Sequence, residues 1–138
     1  MIRTGLRIRG QRGHQEVRVA VIRFAKWLRV EFDFPIRVPV YLLPGEDFLT
    51  IEGERCVASF FAPWERTEEP YIRLATGDYP KLKKERGRDD ALASILDSLA
   101  RQIVRYQHWV HTGKITNRSV VAKADRILDN YAQTIDRP

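Results

Sequence analysis

Apolar residues recur at three- and four-residue intervals in three stretches of this chain, and at two-residue intervals in the region between the first stretch and the second. From His14 to Glu31, the positions Val17, Val21, Phe24, Ala25 and Leu28 make one stripe with Glu16, Arg18 and Arg29 off it. That spacing predicts an amphipathic helix, stopped by Asp33-Phe34-Pro35. Ile36 to Leu42 alternates, with Ile36, Val38, Val40 and Leu42 on one face. It predicts a strand whose Pro39, having no N–H for a ladder, favours a sheet edge or leaves one irregular position. Pro44-Gly45-Glu46-Asp47 reads as a turn, Phe48 to Ile51 as a short strand and Gly53 as a second turn. Arg55 to Phe61 is apolar on both faces, as expected of a central strand covered by helices. Tyr71 to Ala75 predicts the last strand, and Lys81 to Arg88 a charged connector.

The second helical stretch runs from Ala91 to about His111, where Asp89 or Asp90 can cap the positive end of the dipole. Its apolar stripe is Leu92, Ile95, Leu96, Leu99, Ile103, Tyr106 and Val110, with Asp97, Arg101, Arg105 and His108 on the opposite arc. Gly113 ends it. Thr116 or Asn117 can cap a last helix whose apolar face is Val120, Ala124, Ile127, Leu128 and Tyr131. The order helix, three or four strands, helix, helix predicts an α+β domain spanning residues 1 to 138, with residues 1 to 13 as a basic arm or a short strand.

The long second helix carries the most informative segment, Arg101-Gln102-Ile103-Val104-Arg105. A zinc peptidase writes His-Glu-x-x-His on such a helix, with two imidazoles one turn apart as ligands and the glutamate as general base. Here the spacing stands without the chemistry. Guanidinium groups stay protonated and offer no lone pair, and the Gln102 amide cannot take a proton from water. The flanking Ala91-Leu-Ala-Ser-Ile-Leu-Asp-Ser-Leu-Ala100 and Gln107-His108-Trp109 resemble the active-site helix of small gluzincin-type metallopeptidases. In those proteins a Glu-Ala-Asp run on the next helix supplies the third ligand, and this chain reads Lys123-Ala124-Asp125.

The chain therefore resembles a degenerate minigluzincin. The resemblance implies a zincin-like α+β fold: an N-terminal helix, a mixed sheet of three or four strands, an active-site-type helix and a C-terminal helix. It also implies a catalytically inactive, metallopeptidase-like protein with a binding or regulatory role, no catalytic residue, no metal and no cofactor. Arg101, Gln102, Arg105 and Lys123 would form the pseudo-active site. Three cations gathered there would need counter-charge, for which Asp97 and Asp125 are the candidates, beside a bound anion or water.

Composition changes this picture at one end only. The net charge is +6, but Arg3, Arg7, Arg9, Arg12, Arg18, Arg23, Lys26 and Arg29 face Glu16 alone over residues 1 to 29. That segment holds +7 and the remainder −1. Such asymmetry supports an alternative from another class, a nucleic-acid or polyanion-binding accessory protein using Arg3, Arg7, Arg9, Arg12 and Arg18. A hydrophobic content of 43% suffices for a packed core without cross-links. One cysteine, Cys56, excludes an intrachain disulfide and fits the cytoplasm, and no segment has the length of apolar chain that a membrane span needs. A protein or peptide partner is compatible with all of this; a membrane partner is not expected. His108 with His111 could supply half a metal site, Cys56 a nucleophile and Asp78 a loop carboxylate. Each has a simpler reading: dipole-favoured histidines, a small core side chain and a turn residue.

Overall fold

The computed structural model describes residues 3–10, 13–65 and 67–138. Strand β1 (Leu6–Arg9) leads through helix α1 (Gln15–Glu31) to β2 (Val38–Leu43). The hairpin β3 (Phe48–Leu49) and β4 (Arg55–Cys56) follows, then β5 (Ala58–Phe61) and β6 (Tyr71–Ala75). Three helices complete the chain, α2 (Tyr79–Arg86), α3 (Arg88–Thr112) and α4 (Val120–Ala132). The main sheet has the order β1-β2-β6-β5, parallel across its first two pairs and antiparallel at β5. The architecture is α+β with a mixed four-stranded sheet.

Helix α1 buries Val17, Ala20, Val21, Phe24, Ala25 and Leu28, the predicted stripe with one alanine added. It serves as the crossover that a parallel β1–β2 pair requires. The basic segment at the start of the chain is thus strand rather than loose arm over Leu6–Arg9. Leu6, Val38, Val40, Leu42, Ile72 and Leu74 are buried beneath the helices in one core with residues from α1, α3 and α4.

Four sequence expectations are corrected. Strand β2 is interior, not an edge, yet Pro39 costs it nothing: Val38 donates to Gly5 O on the β1 side at 2.9 Å, so residue 39 faces β6, where pairing begins only at Val40. The apolar run Arg55 to Phe61 divides at Val57 into a hairpin arm and an edge strand. Its β5 half covers α3 through Phe60, whose ring meets Tyr106 at 6.2 Å and Trp109 at 6.0 Å, while its outer edge is unpaired among the described strands. The charged connector is helix α2: Pro80 sits in its first turn, where a missing N–H is harmless, and Tyr79 anchors it in the core. The expected caps also differ. Asp89 and Asp90 lie inside the first turn of α3, Gly87 precedes it, and Ser119 with φ 61° precedes α4. Gly113, in the left-handed region at φ 74°, ends α3 as expected.

Helix α3 packs against α1, α2, α4, β5 and β6. Its buried surface is consequently wider than the predicted stripe and adds Ala91, Ala100, Gln102, Val104 and Trp109. Only one narrow arc is left for polar groups.

Candidate functional site in the α3–α4 seam

That arc is Asp97, Arg101, Arg105 and His108, successive turns of one α3 face, each half-buried. The side chains that the resemblance places at metal-ligand positions all end on protein partners. Arg101 Nε lies 3.0 Å from Asp97 Oδ2, one turn earlier. Arg105 donates through its terminal guanidinium nitrogen to Gln102 Oε1 at 2.9 Å and through Nε to Asn117 Oδ1 at 3.1 Å. Lys123 Nζ approaches His108 Nε2 at 3.0 Å. With the ammonium charged, that ring nitrogen accepts, which places the imidazole proton on Nδ1.

Burial governs the electrostatics of the seam. It raises the Asp97 carboxyl above its ordinary value; Arg101 opposes the rise, and Asp125 adds to it. Burial lowers the Arg105 guanidinium, and the neighbouring Arg101 charge lowers it further. His108 is lowered by burial, then by Lys123 and His111. Of the two proposed counter-charges, Asp97 reaches a cation directly, whereas Asp125 is exposed and acts through space on Asp97. Gln102 is 4% exposed, and its Oε1 accepts from Arg105.

A groove of about 730 Å³ runs beside this seam, lined by Phe32, Asp33, Tyr106, His108, His111 and Lys123 among others. Neither Arg101 nor Arg105 lines it. Among the described residues, no three His, Cys, Asp or Glu side chains gather where a metal ion could be held. Compared with protein-family models, curated proteins and solved structures, the chain matches none. The other single residues resolve simply. Cys56 is half-buried, with burial pushing its thiol up, and Asp78 precedes α2, its carboxyl raised by burial.

A second cluster forms at the other end of the sheet. Arg7, Arg9, Arg18 and Arg29 line a depression of about 260 Å³ along the open edge of β1. Arg29 Nε donates to Leu6 O at 2.9 Å, and its guanidinium is lowered by burial and then by the Arg7 charge. Arg3 is exposed nearby in sequence, and Arg12 lies outside the described residues. Sequence reading counted Arg29 as charge but did not assign it to a site, because only the β1–α1 packing brings it beside Arg7. Asn117 and His108 were likewise missed as partners, since nothing in their spacing announces which cation each receives.

Proposed function

We propose that this protein is a non-catalytic, zincin-like domain, a relative in architecture of small gluzincin metallopeptidases that has replaced its metal site with an internal polar network. The observation that carries the reading is the fate of three cations. Arg101, Arg105 and Lys123, at the positions where that family holds zinc, are each engaged by a neighbouring side chain of this chain, and Gln102, in the place of the general base, serves Arg105. The order of elements, a helix and a mixed sheet followed by the short α2 and the packed pair α3 and α4, supports the same assignment. A binding or regulatory role then falls to surfaces such as the 730 Å³ groove, whose mixed apolar and charged lining suits a protein or peptide partner. The single cysteine suits the cytoplasm. No helix among the described residues is long and apolar enough to cross a membrane.

The ancestry is tested by restoring the ligands: Arg101→His, Gln102→Glu, Arg105→His and Lys123→Glu together, against a variant with histidine at 101 and 105 only. Zinc affinity is measured by competition with a chromogenic chelator. The quadruple variant should bind roughly 10-fold tighter or more, because a third ligand completes the set. Equal affinities would show that position 123 does not face the pair, and would remove the zincin reading's support outside α3.

A second reading, a polyanion-binding accessory protein, is favoured by the carboxylate-free lining of the β1 edge depression.

A further inference from the structure

Among the described residues, Leu6, Val38, Val40, Leu42, Ile72 and Leu74 turn one face of the main sheet into the core shared with the helices. The pleat sends alternate residues to the other face, and the strand register shows which ones meet there. Arg9 stands opposite Tyr41, Tyr41 opposite Arg73, and Arg73 opposite Ser59, one continuous row across all four strands. Beside it, Arg7 stands opposite Pro39, and Tyr71 opposite Phe61. The rings form a connected set: Phe61 stacks on Tyr71 at 4.9 Å with planes 20° apart, and Tyr71 meets Tyr41 edge-on at 6.0 Å. Tyr41 is 40% exposed, and Arg7 and Arg9 are exposed.

The arginines at the β1 side of this face are unpaired, while the β3–β4 hairpin over Arg73 carries Asp47, Glu52 and Glu54 at and beside its strands. Among the described residues, Arg7, Arg9 and Arg73 have no carboxylate partner, whereas Arg37 is paired with Glu69. Arg73 lies under the β3–β4 hairpin with its guanidinium 4.4 Å from the Phe48 ring centre, and its buried Nε makes no hydrogen bond. The arginine depression at the β1 edge continues the same surface, through Arg7 and Arg9, onto Arg18 and Arg29 of α1.

We propose that this sheet face is a binding platform for single-stranded nucleic acid, with exposed Tyr41 and the half-buried Tyr71 and Phe61 beside it stacking bases and the β1-edge arginines holding the phosphate backbone. The inference deepens the polyanion reading and does not depend on the zincin reading. Phosphate alone would account for the arginines but not for rings set between them. An acidic protein would have the same difficulty. A base has a π-face for each ring and a phosphate for each cation, and stacking requires that bases be unpaired. At ~4.8 Å per strand the four strands span about 14 Å, which accommodates two or three stacked bases.

The test is fluorescence anisotropy with a labelled oligouridylate and an oligodeoxythymidylate, each roughly 12 nucleotides long. A duplex of the same length, inorganic polyphosphate and polyglutamate serve as competitors, and the two labelled strands distinguish RNA from DNA. Expected results are binding of single strands in preference to duplex, and a loss of about 5- to 150-fold on Tyr41→Ala. Arg7→Gln with Arg9→Gln should reduce the slope of log affinity against log salt by about 1.4, two phosphate contacts at ~0.7 each. Arg118→Gln with Arg126→Gln, exposed cations elsewhere, should leave affinity within about twofold, since bulk charge is not the cause. Photocrosslinking of an iodouridine oligonucleotide to the unaltered protein, with mass-spectrometric mapping, should mark β2 or β6 and keeps the proposal testable should Tyr41→Ala fail to fold.

Three outcomes overturn the platform alone. These are equal affinity of the Tyr41→Ala protein, crosslinks confined to the α3–α4 seam, or polyphosphate competing as well as the oligonucleotide. If polyphosphate binds but Tyr41 is irrelevant, the platform fails and the polyanion reading survives. Absence of any polyanion binding near 100 µM in low salt, on the order of the weakest non-specific affinities, removes both.

Discussion

Tyr106 shows how one hydroxyl can join two layers. Its ring is buried against Phe34, with centroids 5.6 Å apart, and its Oη donates to Ile36 O at 2.5 Å while accepting the Ile36 N–H at 3.1 Å. Both polar groups of the residue that leads into β2 are thereby satisfied from α3. Tyr106→Phe leaves them without that partner and should cost about 1–3 kcal/mol, read as a lower urea midpoint. The pH dependence has a definite sign. Burial pushes the phenol from 10 up to about 12, so folding favours the neutral form. The stability this gives is complete below pH 10 and is lost as pH rises toward 12. The substituted protein should lose less stability over that interval; a residual loss is expected because burial also raises Tyr79 and Tyr131. Parallel alkaline curves for the two proteins would exclude Tyr106 as the group responsible.

At the level of elements, Glu16 clips three helices. From α1 it accepts from Lys83 Nζ of α2 and from Arg88 Nε of α3, each at 2.8 Å. The Lys83 hydrogen bond is the main reason its carboxyl falls from 4.5 to about 2. Its contribution is present above pH 4.5 and disappears as pH drops toward 2. Glu16→Gln should therefore flatten the acid side of the stability profile between those values, with its whole cost, kept small by solvent screening of the exposed pairs, already present at pH 7. An unchanged acid limb would mean the contacts contribute nothing in solution. This clip also explains what the sequence left unread. The stripes of α1, α3 and α4 were legible because burial of Val17 to Leu28 or Leu92 to Tyr106 imposes a period on the chain. Helix α2 has no such stripe: only Tyr79 is buried, and its position depends on Glu16 and Tyr79, contacts distant in sequence. Strand order was hidden for the same reason, since alternation gives a face but not a neighbour. The cations of the α3–α4 seam were legible as residue types, and Arg101 and Arg105 as sharing one helix face. That Lys123 goes to His108 while Arg105 goes to Asn117 depends on the α3–α4 turn, which Ser119 shapes with an uncommon positive φ.

For the whole molecule, the question is whether anything beyond apolar burial is needed to hold the two layers together. The core runs without interruption from Leu6 in β1 through Val21 and Phe24 in α1 and Ile103 in α3 to Tyr131 in α4. Tyr131 closes the far side by packing on Phe24 at 4.8 Å and Trp27 at 5.2 Å. A structural zinc site typically supplies ~10–16 kcal/mol of folding free energy, and a domain that relies on it unfolds when the metal is removed. Here the α3–α4 seam already contains an ion pair and three polar contacts of its own, so Arg101, Arg105 and Lys123 each meet a side chain without a dication, while Asp97 Oδ1 and Arg101 Nε make no hydrogen bond among the described residues. Exhaustive chelation and dialysis should accordingly leave Tm unchanged within about 1 °C, because a domain of this size shifts by roughly 2–8 °C for each kcal/mol lost. Refolding from urea in the presence of chelator should restore the same Tm. Elemental analysis of the untreated protein should find zinc far below one equivalent. A chelator-induced fall of several degrees, reversed by zinc, would mean that metal does hold this fold together and that Arg101, Arg105 and Lys123 had drawn attention to the wrong part of it.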